Sequence, residues 1–315
     1  MDKAHWRLSR TPSVAVERPF DPAPLMQRLR GRTSSDRFRF AVFADTHHSP
    51  AFGEIMRLIE RLEVDFVVAP GDLVDLGGGR EGPVHYARLA EEAGDFLRAL
   101  PVWPAVGNHD ADSRWDNDVW NGHANFAAFY NLPPRYRFDF RNATFIVLSW
   151  MLPDAEEMAW LTAELADRPA EHVFVAAHCP LVNITGMDGV REAARPVARE
   201  LKRLLARHGV AAHLSGHSHI YYRTVRDGVN YVISGGAGRG IADITRPQDA
   251  LQADSFFGRD PHSGRYVLRA GGRERTLDGP RSFLVVIDID GGEVAGRVVT
   301  ADGDTWERFA IRPPP

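Results

Sequence analysis

The chain has 315 residues, 44% of them hydrophobic and 25% charged, enough apolar material for one sizeable core. Its 38 basic and 42 acidic residues leave a net charge of -4, which speaks against a broad basic face for nucleic acid. No run of about 18 apolar residues is present, so a membrane-spanning helix is not expected. The single cysteine, Cys179, forms no intrachain disulfide, and the N-terminus has no apolar stretch of the secretory kind. A cytoplasmic location is the expectation.

Residues 1–36 carry Pro, Arg and Ser with weak periodicity and read as an N-terminal extension. Phe38 to Ala44 and Asp65 to Ala69 are short apolar runs. Between them Ile55, Met56, Ile59 and Leu62 recur at helical spacing, which predicts a β-α-β unit with parallel strands. The alternation continues with a helix over 84–100, a strand over 102–106 and paired strands around Arg141-Asn142. A helix capped by Asp154 follows, then a strand over 172–177, a helix over 191–208 and a strand over 210–214. Asp227-Gly228 predicts a type I′ hairpin between 221–226 and 229–233, and a second hairpin joins 282–288 to 293–300. Residues 234–280 read as a loop-rich insertion within a domain spanning 37–315.

Five polar clusters stand directly after predicted strands: Asp45-Thr46-His47-His48, Gly71-Asp72-Leu73-Val74-Asp75, Gly107-Asn108-His109-Asp110, His178-Cys179 and Gly216-His217-Ser218-His219. In open α/β sheets the carboxyl ends of the strands form the ligand-binding mouth. Carboxylates mixed with imidazoles suit Mn, Fe, Zn or Co better than Ca or Mg. In an extended chain an Asp-x-His or His-x-His pair sends both side chains to one side. A carboxylate such as Asp72 has two oxygens and can bridge two ions, which clamp an in-line displacement at phosphorus. Any one cluster alone is more often a solvated turn or a structural histidine; five in this order are not.

The series D-x-H, G-D-x-x-D, G-N-H-D, H and G-H-x-H, over roughly residues 38–233, resembles the calcineurin-like metallophosphoesterase superfamily. The resemblance implies an α/β fold, a four-layer αββα sandwich of two mixed β-sheets flanked by helices. It implies two divalent metal ions, one held by Asp45, His47 and His219 and the other by Asn108, His178 and His217, with Asp72 bridging them. His109 then assists the leaving group, Asp110 orients the His109 imidazole, and Asp75 accepts a hydrogen bond behind the ligands. The nucleophile is a hydroxide bridging the metals. Purple acid phosphatases have Tyr where this chain has Asp75, and serine/threonine phosphatases have Arg where it has Leu76. The pattern, with WLTAEL at 160–165, most resembles the bacterial cyclic-nucleotide and glycerophosphodiester phosphodiesterase branch.

The implied activity is hydrolysis of a small phosphodiester or phosphomonoester, with a small phosphate ester as partner and no membrane. A nuclease of the same superfamily and a non-catalytic metal-binding scaffold are the alternatives. His48, beside a ligand, is a candidate substrate contact. Residues 111–126 are expected to overhang the site as a loop, with Trp115, Trp120 and His123 as candidate stacking groups. Arg191 and Arg239 are candidate phosphate contacts. Cys179 reads as a packing residue, and no sequence feature sets an oligomeric state.

Overall fold

Phe20 and Met26 anchor a short helix, α1 (Ala23–Arg30), where the sequence reads as an irregular extension. Eight residues carry too little periodicity to register, and tertiary contacts hold this helix in place. The Phe20 ring lies 4.7 Å from that of Phe129, and the Arg98 guanidinium sits 4.5 Å over it. The computed structural model describes residues 19–31, 35–111, 119–149, 153–167, 170–185, 195–238 and 240–311.

The β-α-β opening is present as β1 (Arg37–Val42), α2 (Ala51–Leu62) and β2 (Phe66–Ala69), followed by α3 (Gly82–Ala99) and β3 (Val102–Pro104). Then come α4 (Val119–Tyr130), β4 (Tyr136–Phe140), β5 (Ala143–Val147), α5 (Ala155–Ala166), β6 (His172–Ala176), α6 (Arg195–Arg207) and β7 (Ala212–Ser215). Asp154 caps α5 as expected, its carboxylate accepting the Glu157 N–H at 2.8 Å. The chain continues through β8 (Tyr221–Arg226), β9 (Val229–Ser234), the short α7 (Pro247–Ala250), β10 (Ser255–Arg259), β11 (Tyr266–Ala270) and β12 (Arg273–Leu277). It ends with β13 (Phe283–Asp290), β14 (Glu293–Thr300) and β15 (Thr305–Ala310). The β8–β9 turn has φ of 49° at Asp227 and 79° at Gly228, the two positive values that a type I′ turn needs.

Two mixed sheets result. One runs β15-β14-β13-β1-β2-β3 and the other β12-β11-β10-β8-β9-β7-β6-β5-β4. Phenylalanines fill the space between them: Phe40 on β1 meets Phe145 and Phe174 edge-on at 5.2 Å, and Phe66 on β2 meets Phe145 at 5.3 Å. Each buried ring stabilises by roughly 1.5–3 kcal/mol through area alone. Helices α5 and α6 cover the outer face of the nine-stranded sheet, where Leu161, Leu165, Leu201 and Leu205 pack on Ile146, Val173 and Val175. Leu161 and Leu165 belong to WLTAEL, so that stretch serves packing in this chain. Ile55, Leu58 and Ile59 of α2 and Leu89 of α3 join the core of the six-stranded sheet. The outcome is the expected sandwich of two mixed sheets flanked by helices.

Two further expectations are corrected. Residues 119–130 form α4 instead of continuing an overhanging loop. The 234–280 stretch carries β10, β11 and β12, which extend the second sheet. The outermost, β12, has the polar, largely exposed sequence RERTL, so the ladder to β11 defines it and no hydrophobic alternation could. Among the described residues no helix is long and apolar enough to cross a membrane.

Candidate metal centre

The two sheets are stitched together at the carboxyl end of β1. The Ala44 N–H donates to Ser234 O at 2.9 Å, and the Asp45 N–H donates to Gly71 O at 3.1 Å. The His217 N–H, past β7, donates to Asp45 Oδ2 at 2.9 Å, so the turns leaving β1, β2 and β7 meet at one point. Asp45, His47, Asp72, His217 and His219 all sit there with positive φ, between 45° and 69°. This corrects the extended-chain expectation for Asp-x-His and His-x-His: left-handed turns converge the side chains. Each such turn costs about 1–3 kcal/mol, a strain that concentrates where function demands a geometry.

Asp72 lies at the centre. Its Oδ2 is 3.5 Å from His47 Nε2 and 3.2 Å from His178 Nε2, while its Oδ1 accepts the His109 N–H at 2.8 Å. On one side, His219 Nε2 and His47 Nε2 lie 3.6 and 4.0 Å from Asp45 Oδ1, and His47 Nδ1 faces Asp75 Oδ1 at 3.3 Å. On the other, Asn108 Oδ1 stands 3.0 Å from His178 Nε2 and 2.9 Å from His217 Nδ1. Donor atoms of Asp45, His47 and His219 cluster within 4.8 Å of one another, as do those of Asp72, His178 and His217, and those of His47, Asp72 and His109. All seven residues expected to hold metal are thus gathered in two adjoining groups with Asp72 between them.

Burial and charge explain how these groups titrate. Burial alone would raise the Asp72 carboxyl, but His178 beside it holds it well below the usual carboxylate range. Burial likewise opposes charge on His178, and Asp72 outweighs it, carrying the imidazole up to about 9. Burial, then His178, pushes His217 down to about 3, and burial raises Asp45. His178 Nδ1 meets Pro70 O at 2.7 Å; donating there leaves Nε2 facing Asp72 and Asn108. Oxygens and ring nitrogens so converged and buried fit a cation, and the carbonyl behind the ring is the support that ligating histidines usually have.

Glycines make the approach possible. A Cβ on Gly107 would lie 2.1 Å from Asp72 Oδ1, and one on Gly71, at φ 86°, would lie 2.8 Å from His178 Nδ1. The sequence shows both glycines but not what they make room for.

A model of calcineurin-like phosphoesterases matches residues 38–221, more than half of the chain and all five clusters. The chain belongs to the calcineurin-like phosphoesterase family. It is 27% identical over 218 residues to the tartrate-resistant acid phosphatase type 5 of Mus musculus and 26% over 215 residues to that of Homo sapiens. These alignments cover 58% of this chain and 63% and 64% of the relatives, so it spans less than two thirds of their length. Among solved structures it resembles a purple acid phosphatase from yellow lupin seeds (TM-score 0.65, 17% identity, 88% of this chain and 54% of that one). It also resembles a dimetal phosphatase from Danio rerio (TM-score 0.55, 14% identity, 88% and 99%). These last two likenesses concern the fold.

Other candidates of this calcineurin-like phosphoesterase fall less uniformly. Asp110 does not orient His109. Its carboxylate accepts the N–H groups of Asp72 at 2.7 Å and Gly107 at 2.8 Å, with Leu73 and Val74 at 3.2 and 3.4 Å. Asp110 is completely enclosed, and the turn puts those four donors in front of it. Burial, then the Asp72 charge, raises it to about 6. The His109 ring is held instead by the backbone carbonyl of Asp75, 2.7 Å from Nδ1. His48 is buried, its Nδ1 2.9 Å from Glu92 Oε2 and its ring 5.4 Å from that of His85. Glu92 is a residue that sequence reasoning missed, for it lies 44 positions away on α3 with nothing to mark it. His123 sits on α4, and burial pushes it down to about 4. It belongs to neither ligand group. Trp115, Arg191 and Arg239 lie outside the described residues.

Proposed function

We propose that this chain is a metal-dependent phosphoric ester hydrolase that binds two divalent ions and acts on a small phosphomonoester or phosphodiester. The observation that carries the reading is the place of Asp72, whose Oδ2 faces His47 of one ligand group and His178 of the other. Asp45, His47 and His219 would hold one ion and Asn108, His178 and His217 the other, with Asp72 shared. The donor set suits Mn, Fe, Zn or Co. When bound, such ions lower the pKa of water and neutralise charge on a phosphoryl group.

The protein's own residues supply the rest. His109 Nδ1 donates to the Asp75 carbonyl, which leaves Nε2 as the atom that holds a proton for the departing oxygen. Asp75 reaches His47 Nδ1 with its carboxylate and His109 with its carbonyl, so one residue positions a ligand and the proposed acid. Its carboxylate stands where the purple acid phosphatases carry a tyrosine, which favours a site without iron–tyrosinate chemistry. A cytoplasmic setting belongs to the same reading and agrees with a lone, buried Cys179 thiol. The acid phosphatase relatives favour a monoester and the WLTAEL resemblance a diester, so both are tested.

The experiment is hydrolysis of p-nitrophenyl phosphate and bis-p-nitrophenyl phosphate by metal-stripped protein, with Mn, Zn, Fe or Co restored singly. Turnover should return with metal and fall at least roughly 100-fold in Asp72→Asn. Full activity in that variant, or in the stripped protein, would refute the assignment.

A further inference from the structure

A cleft of about 480 Å³ opens between α6, the β8–β9 turn and the segment before α7, lined by residues that the metal centre does not use. Arg199, Lys202 and Arg203 share one face of α6, being three and four residues apart. Arg226 at the hairpin and Arg246 ahead of α7 complete a ring of five cations, against which the lining offers only Asp227 and Asp249. On a chain of net charge -4 this is a local reversal of sign. Among the described residues, no carboxylate pairs with Arg199, Lys202 or Arg203 within 4 Å. Arg226 is aimed by its own contacts, donating through Nη2 to Gln252 O at 3.0 Å and standing 3.3 Å from Gln252 Oε1.

We propose that this cleft is a second anion site, which takes a small molecule carrying two or more phosphate groups. A solvated helix face would need no facing arginines from two other segments, whereas a cleft lined by one sign focuses its field on an oppositely charged ligand. Guanidinium forks suit phosphate oxygens. The volume falls within the 300–1,000 Å³ or so typical of small-molecule sites, more than one orthophosphate fills. The half-buried Lys202 amine is held below its ordinary value, by burial first and then by Arg199, a strain that a polyanion relieves. The floor also touches the metal centre's own loop: Asn183 Nδ2 donates at 2.7 Å to Oγ of Ser218, which lies between His217 and His219.

The test is calorimetric titration of EDTA-stripped full-length protein with inorganic tripolyphosphate, pyrophosphate and orthophosphate, which keeps the result independent of any metal at the catalytic centre. The wild type should bind one tripolyphosphate per chain, more tightly than orthophosphate and with an affinity that falls as salt rises. Lys202→Gln and Arg226→Gln should each weaken it about tenfold. Arg199→Gln, at an exposed helix position that should tolerate the change, should do the same in direction. Arg57→Gln, exposed on α2, should leave binding unchanged. Absence of saturable binding up to millimolar tripolyphosphate would overturn the proposal, and so would equal affinities in wild type, Lys202→Gln and Arg199→Gln.

Discussion

The Asp110 carboxylate accepts the backbone N–H of Asp72 at 2.7 Å and so ties the third polar cluster to the turn that carries the central carboxylate. With the Gly107, Leu73 and Val74 N–H groups also directed at it, Asp110 acts as the peg around which that turn is wound. Asp110→Asn keeps the shape but presents an NH₂ group to N–H donors. We expect a loss of about 2–4 kcal/mol in urea unfolding, together with lost metal binding. A variant that keeps wild-type stability and loses only rate would return Asp110 to a role on His109.

Asp75 is expected to act through position. Removing its carboxylate in Asp75→Ala takes away the contact at His47 Nδ1 while the main-chain carbonyl still holds His109. Metal affinity should fall by about 10–100-fold, measured by competition with a chelator, and activity should recover at high metal concentration. Activity that stays low at saturating metal would mean that Asp75 touches the substrate.

Gly107→Ala separates steric from conformational effects. Its φ does not lie in the left-handed region, so alanine is allowed by backbone geometry, yet its Cβ would stand 2.1 Å from Asp72 Oδ1. We expect destabilisation of about 1–3 kcal/mol and loss of metal stoichiometry. The matched control is Gly53→Ala in α2, where the nearest atom is the end of Arg57 at 3.6 Å; it should stabilise by up to about 1 kcal/mol. Equal metal content in wild type and Gly107→Ala would contradict the close approach.

Stability should fall with pH below neutrality because of His213 on β7. Burial pushes this imidazole down to about 3, and among the described residues its Nε2 has no hydrogen-bond partner. The folded pKa is below the unfolded value of about 6.5, so between those limits the unfolded chain binds the extra proton and stability rises with pH. The slope should approach roughly 1.4 kcal/mol per pH unit around pH 5. His213→Leu should remove that component, leaving the variant roughly 2 kcal/mol better off at pH 5 than at pH 7 relative to wild type. Urea unfolding of metal-free protein at both pH values checks it, and identical pH profiles would show that His213 is hydrated in the folded state.

The strands, helices and hairpin that carry the site follow from the sequence alone, because apolar periodicity, an Asp cap and an Asp-Gly turn are local signals. The five polar clusters after the strands are legible too, and the resemblance of their series to the calcineurin-like superfamily is what picks out seven candidate ligands among them. Their arrangement is another matter. Asp45, His47, Asp72, His217 and His219 converge through left-handed turns that only the surrounding packing and hydrogen bonds sustain. Asp110 turns to four N–H groups and away from His109 because the fold brings those donors closer. Glu92 reaches His48 across 44 positions that leave no trace in any short window of sequence. Residue chemistry and local spacing determine what this protein can bind. Long-range contacts decide which atoms meet, because a buried donor or acceptor must find its partner wherever the chain has placed one.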